Sequence, residues 1–384
     1  MKSVFFTLFL GLALVFNGQA AHSNTPAPQE ITLTSEAPSG NPVVDRIHFK
    51  WYPVIRADGA KSPAVIVLHY LGSTGEKNFS RFARRLNARG IAAAQMTLPY
   101  HGKRAVKLPP IHYFITGGAE KVAQAFGQSA SDVSTVVTWL TQQPTVDANR
   151  IGASGVSLGA IVTHLAMGKD PRISAGVASL GAGNLANNYR QGLANRFFTK
   201  PRVEKYTPAE EELLRRVDPL TYADHNRPRR VLMIQAARDS LLDRRYAQEL
   251  WEALGRPPIQ WLDTNHFALA LAPESAMKAS IAYFETAWGD KPDDLSDVPR
   301  VRVPTLKVGF ISGLDSVVTP AIQYQFFSLG TRNHMALLHA DAGVTVRGPF
   351  VGVAATVNRY LDLGVGRRLL GEKVRPYASF HLVF

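Results

Sequence analysis

The stretch Gly155-Val156-Ser157-Leu158-Gly159 constrains this chain more than any other. It comes after a short apolar strand pattern ending in Arg150-Ile151-Gly152-Ala153-Ser154 and precedes a helix pattern opening at Ala160-Ile161-Val162-Thr163-His164-Leu165. A serine flanked by glycines two residues before and two after, at a strand-to-helix junction, marks a tight turn that lifts the hydroxyl clear of a sheet. The helix N-terminus behind it offers amides and the positive end of a dipole to a developing negative charge. A serine hydroxyl is a poor nucleophile at neutral pH, so it needs a base, and the base needs an orienting acid. Ser157 is therefore a candidate nucleophile, provided that a base and an acid stand at workable places downstream.

Two later loops supply partners. Arg230–Ala236 reads as a buried strand and runs directly into Ala237-Arg238-Asp239-Ser240. Ile259–Leu262 reads as another and runs into Asp263-Thr264-Asn265-His266-Phe267. Upstream lie Ala64-Val65-Ile66-Val67-Leu68-His69, Leu98-Pro99-Tyr100-His101-Gly102, Val146-Asp147-Ala148-Asn149-Arg150-Ile151-Gly152 and, beyond the serine, Val217-Asp218-Pro219-Leu220. In this order, the pieces over residues 43–288 resemble an α/β-hydrolase of the dienelactone-hydrolase and acyl-peptidase-like branch.

The resemblance implies an α/β fold, a mostly parallel sheet covered by helices, with a Ser157–His266–Asp239 triad. The acid comes directly after its strand in that pattern, which favours Asp239 over Asp243. Asp243 reads more simply as a solvated residue opening the helix at 244–254. Asp263 stands too close to His266 to orient it. Ser154 lacks the glycine pair and is expected to point into the sheet. His164 is expected in the core, and His69 and His101 as structural or substrate-lining residues. The family pattern assigns the oxyanion hole to the backbone amides of Leu158 and Leu71. It usually has glycine after the histidine, where this chain has Tyr70, so a side chain narrows the approach there. Tyr70 and Tyr100 are the candidate pocket residues.

The first twenty residues read as a signal peptide: Lys2, an apolar run from Val4 to Phe16, and Gly18-Gln19-Ala20 before a cut at Ala21. That run is shorter than the ~20 residues a spanning helix needs. Residues 21–42 read as a flexible leader rich in Pro, Ser and Thr. The chain has no cysteine, which removes disulfides and a lipidated cysteine from consideration. Its net charge is +13, but the basic residues are scattered rather than interleaved with aromatics, so nucleic acid is not an expected partner. Attraction to an anionic envelope surface is the milder expectation.

Between residues 185 and 226, Thr207-Pro208-Ala209-Glu210-Glu211 marks a helix start inside what reads as a small helical cap. Residues 289–304 read as a Pro/Asp-rich linker. Residues 305–384 read as a β-rich module of roughly six antiparallel strands. Val351, Val353, Ala355 and Val357 share one face there, and Ala378, Phe380, Leu382 and Phe384 alternate to the end. The alternating tail resembles the terminal signal of outer-membrane barrels, yet the smallest of those need about eight strands of 9–11 residues. Length thus favours a small β module packed on itself or on a partner.

The expected activity is that of an exported serine hydrolase, periplasmic or secreted, cleaving a small-molecule or polymer-attached carboxylic ester with no metal or organic cofactor. A peptidase of the same fold is the nearest rival. Such peptidases usually carry a large preceding domain, for which residues 21–60 are too short. An envelope-anchored binding protein working through its C-terminal strands is the rival of another class.

Overall fold

A computed structural model describes residues 26–73, 76–191, 205–227, 229–314, 317–369, 371 and 373–383 of the 384. The expected signal peptide, residues 192–204 of the cap and Phe384 lie outside the described residues.

Eight strands make the first sheet: β1 (Gln29–Thr34), β2 (Arg46–Tyr52), β3 (Ser62–Leu68), β4 (Ala92–Met96), β5 (Val146–Val156), β6 (Ile173–Ser179), β7 (Arg230–Ala236) and β8 (Ile259–Leu262). Their spatial order is β1-β2-β4-β3-β5-β6-β7-β8. β1 and β2 run antiparallel to their neighbours and the rest are parallel. The central strand β3 is buried along its whole length because helices cover both faces, which is why Ser62–Leu68 lacks polar alternation. Val65 and Val67 face one apolar layer with α1 (Glu76–Asn87), while Ala64, Ile66 and Leu68 face the other with α2 (Ala119–Thr141) and α3 (Leu158–Lys169).

The cap region contains α4 (Leu185–Gln191), α5 (Pro208–Arg215) and α6 (Ala223–Asn226). Thr207 closes a capping box at α5: its hydroxyl accepts from Glu210 N and its amide donates to the Glu210 carboxylate, with Pro208 opening the helix. Last in this unit come α7 (Arg244–Ala253) and α8 (Pro273–Ala287), the latter in the same layer as α1.

Two segments differ from the sequence reading. The leader is not flexible from 29 to 34, where β1 pairs with β2. Ile31 and Leu33 alternate with threonines and pack on the core, a period-two pattern masked by the surrounding Pro and Ser. Ser35 then donates to Asp132, itself in a fully buried pair with Arg104 at 2.6 Å. The segment 289–304 is likewise a strap rather than a free linker. Val301 is buried, its amide donates to Gln260 Oε1 at 2.7 Å, and the amide of Arg302 donates to Ser275.

The last six strands form a closed antiparallel barrel: β9 (Thr305–Ser312), β10 (Thr319–Arg332), β11 (Met335–Thr345), β12 (Gly348–Asn358), β13 (Leu361–Arg368) and β14 (Arg375–Val383). It is a meander whose last strand pairs with its first. Its sidedness is inverted. The Val351/Val353/Ala355/Val357 face points outward, while Gly352, Ala354 and Thr356 point in. Inside, Lys307 Nζ sits 3.0 Å from Asp341 and 2.8 Å from Asp362, and the two ring nitrogens of His339 lie 3.2 Å from those same carboxylates. All four side chains are fully buried. Burial opposes charge on His339, but its hydrogen bonds to the two aspartates outweigh this and raise its pKa. His339, Asp341 and Asp362 have the spacing of a metal site, and the Lys307 ammonium fills its centre. Towards the end away from the sheet, Phe350 and Tyr377 plug the barrel. The inward position 352 must be glycine, since a Cβ there would stand 2.7 Å from the Tyr377 ring.

Candidate active site

β5 ends at Val156, and the chain reverses into α3 through Ser157, which is forced to φ 55° and ψ −112°. A non-glycine residue at positive φ is strained and persists only where neighbours leave no alternative. Here the flanking glycines permit it. A Cβ on Gly155 would lie 2.1 Å from Gly159 O, and one on Gly159 would lie 2.6 Å from Leu68 O and 2.8 Å from His69 O. The turn therefore presses backbone to backbone against the exit of β3.

Ser157 Oγ is 2.8 Å from His266 Nε2. His266 Nδ1 is 2.7 Å from Asp239 Oδ2. The other carboxylate oxygen of Asp239 accepts from the amides of Leu241 and Leu242, each at 3.0 Å, which fixes the carboxylate in the plane the imidazole needs. Both His266 and Asp239 are buried, and β7 and β8 deliver their loops to the edge of the sheet where β5 delivers the serine. The three residues singled out in the sequence thus form one continuous hydrogen-bonded line.

The alternatives lie elsewhere. Asp243 caps α7, accepting from Arg245 N. Asp263 is held by Arg238 at 2.6 Å. His164 is fully buried on α3, and burial lowers its pKa to about 4. Ser154 differs from expectation in part: it is buried on β5, yet it borders the same cavity as Ser157.

Leu158 opens α3, so its amide is one of the helix-end donors without an intrahelical acceptor. Leu71 and Tyr70 border the same cavity as Leu158. Tyr70 is part exposed and leans on Phe79, with ring centroids 5.7 Å apart. Tyr100 is a correction. It is buried at φ 65° and stacks on Tyr113 at 3.6 Å, outside the cavity lining. Its positive φ turns the side chain into the core, a consequence of the Pro99–Gly102 turn that composition does not reveal.

His69 and His101 are structural in a specific way. Each ring places Nδ1 against a carbonyl, Tyr70 O at 2.9 Å and Pro99 O at 2.8 Å. Each therefore offers a bare Nε2 to a backbone amide: His69 to Leu98 and His101 to Gly72, both at 3.0 Å. Burial drives both pKa values down, to about 4 for His69 and about 3 for His101, so both stay neutral acceptors at ordinary pH. His101 thereby pins the loop carrying Leu71. Nothing in the local pattern around His101 pointed to that role.

The cavity measures about 540 Å³ and is mainly apolar, with Phe79, Phe82, Phe114, Ile115, Leu269 and Met277 among its walls. Gly159→Ala is expected to push the elbow off the β3 exit and so displace Ser157 from the Leu71 loop. A misplacement near 1 Å costs about 10²-fold in turnover. Ester kinetics beside a circular-dichroism spectrum would check this, and wild-type turnover would show that the contact is dispensable.

The family model described as the prolyl oligopeptidase family matches residues 122–260, a stretch that includes Ser157 and Asp239 and stops short of His266. Acetylxylan esterase A of Aspergillus oryzae is 22% identical over 171 residues, 44% of this chain and 50% of that protein. The match thus spans half the length of that relative. Among solved structures, the acylaminoacyl peptidase of Pyrococcus horikoshii superposes with a TM-score of 0.52 at 16% identity, over 68% of this chain and 42% of its own. An acylaminoacyl peptidase in complex with Z-Gly-Gly-Phe-chloromethyl ketone gives 0.51 at 17% identity, over 68% and 41%. At such identity the structures speak for the fold alone, and it is the fold that the strand order already displays. With the serine at the tip of its strand-to-helix turn, the chain has the α/β-hydrolase fold and is similar to esterases and peptidases built on it.

Proposed function

We propose that this chain is an exported esterase that cleaves carboxylic esters with an apolar acyl group through an acyl-enzyme on Ser157. The observation that carries the reading is the unbroken line Ser157–His266–Asp239 at the wall of an apolar cavity. Ser157 Oγ attacks the ester carbon as its proton passes to His266 Nε2, while Asp239 holds the Nδ1–H tautomer and stabilises the imidazolium. The carbonyl oxygen becomes an oxyanion facing the amides of Leu158 and Leu71, each donor worth about 3 kcal/mol of barrier. The tetrahedral adduct collapses, and the alcohol leaves with the proton from His266. Water then gives a proton to the same nitrogen and attacks the acyl carbon, and Ser157 leaves as the hydroxyl. A cavity of about 540 Å³ has room for far more than an acetyl group, and its aromatic and aliphatic walls suit an acyl chain. Export rests on the basic, apolar and small-residue pattern of residues 1–20.

A fluorophosphonate should label Ser157 alone, and a panel of p-nitrophenyl esters should show turnover that rises beyond acetyl. An adduct mapped to Ser154 or to another residue overturns the mechanism. The prolyl oligopeptidase match favours a second reading, cleavage of a peptide bond. Paired ester and amide substrates with one shared acyl group separate the two: kcat/KM for the amide above that for the ester would select the peptidase.

A further inference from the structure

We propose that the barrel β9–β14 sits in a lipid bilayer, held there by its outer face. This inference does not depend on the ester reading. Of the 27 large hydrophobic side chains exposed among the described residues, 22 lie between Val308 and Leu382, far too many for the chance scatter of a soluble surface. They encircle the barrel. Phe310, Tyr324, Leu338, Val353, Val365 and Phe380, one from each strand in chain order, are each 42–55% exposed. A protein partner would reach one side of such a cylinder, whereas a bilayer surrounds it.

The interior argues the same way. Water favours apolar side chains inside and charges outside. This barrel instead buries Lys307, His339, Asp341 and Asp362 completely, while Phe310, Phe326, Phe327, Phe380 and most of its valines face out. In hydrocarbon that sidedness is the favourable one. Lipid also requires every backbone N–H and C=O in the span to be paired within the protein, and the β14–β9 pairing removes the open edge. What the bilayer demands is closure, and a filled six-stranded barrel meets that demand as an eight-stranded one does. Strands of 8 to 14 residues bracket the 9–11 that cross a hydrocarbon layer of about 30 Å.

The two ends differ. The end away from the sheet carries Arg347 between β11 and β12, Arg367 and Arg368 at the end of β13, Lys373 before β14 and Arg375 at its start, against Asp315 and Glu372 in the connecting segments of the sequence. Long basic side chains there can reach anionic headgroups. The opposite end is fastened to the hydrolase. Arg244 donates to Asn333 O, Asp263 accepts from Ala336 N at 2.8 Å, Arg359 donates to Asp239 O at 3.3 Å, and Trp261 stacks on His334 at 4.8 Å. Those contacts fall on β8, on the loops after β7 and β8 and on α7. Insertion therefore turns the sheet edge that bears Ser157, Asp239 and His266 towards the bilayer surface. No helix among the described residues is long and apolar enough to cross a membrane, so the barrel is the element in question.

The native chain has no cysteine, which makes single-cysteine labelling clean. Val353→Cys and Val365→Cys, cross-strand neighbours on the outer face, would carry an NBD fluorophore, with Lys77→Cys on α1 as reference. The full chain would be reconstituted from detergent into phosphatidylethanolamine–phosphatidylglycerol vesicles with and without brominated acyl chains. The expected result is blue-shifted emission and several-fold stronger quenching at 353 and 365 than at 77, unchanged in concentrated salt. A second, label-free arm is vesicle flotation of the unmodified chain and of a Phe310→Glu/Phe380→Glu variant. The variant should lose flotation while fluorophosphonate labelling persists. Equal quenching at all three positions, or vesicle binding that salt abolishes, would reduce the barrel to a surface-adsorbed module and overturn the proposal. So would a lipid-free oligomer in which the 353 and 365 labels are already shielded, since a second copy of the chain would then be the covering partner.

Discussion

Asp239→Asn is expected to slow ester turnover about 10⁴-fold while Asp243→Asn stays near wild type. The asparagine can keep the hydrogen bonds from Leu241 and Leu242 to one side-chain oxygen, so the loop should hold its shape. Its amide would then face His266 Nδ1 as a donor, and the imidazole would place its proton on Nε2. In that tautomer His266 cannot take the proton of Ser157, although the 2.8 Å spacing survives. Asp243 makes no such contact. It caps α7 and lies 3.8 Å from Arg359. Removing a helix cap costs about 1 kcal/mol of stability and leaves the chemistry alone. Steady-state kinetics of the two variants, with melting curves beside them, decide the matter. Comparable losses in both, or the larger loss at 243, would mean that the acid is not Asp239.

Lys307→Met should destabilise the barrel by about 3–5 kcal/mol, the usual consequence of stripping one partner from a buried charge group. Methionine fits the volume but leaves Asp341 and Asp362 facing each other with only His339 between them. A triple variant that also carries Asp341→Asn and Asp362→Asn removes the uncompensated charge and should recover much of the loss. Denaturation of the full chain followed at a barrel label, with Ser157 probe labelling as the readout for the hydrolase, measures both. A single variant as stable as wild type would show that the lysine is not what balances the aspartates.

The α/β unit was legible because its signals are local and ordered. The glycine pair about Ser157 specifies a backbone geometry, and Asp239 and His266 each lie in the loop that follows a strand, the first of them a long apolar run. Tyr100 misled because its direction is set by a left-handed backbone angle, which a side-chain pattern does not encode. β1 and the 289–304 strap were missed because Pro, Ser, Thr and Asp surround the apolar residues that dock them, Ile31 and Leu33 in the first and Leu295, Val298, Val301 and Val303 in the second. In the tail, alternation gave the number of strands but not their sidedness. Period two says that valines share a face, and it is silent on which face is the inner one. Lys307, Asp341 and Asp362, far apart in the chain, carried that information, since three charged residues on the minor faces of different strands can all be inside only if they meet.

Lys307 also has a consequence for where such a barrel can be assembled. The cation that satisfies Asp341 and Asp362 is covalently part of the chain, so it has no dissociation constant and its local concentration does not depend on the surroundings. A calcium or zinc ion in that position would tie folding to the supply of the metal and make it reversible by chelators. With a tethered ammonium in the centre and no thiol to oxidise, the barrel can reach the same final state in a metal-poor or a metal-rich compartment, reducing or oxidising.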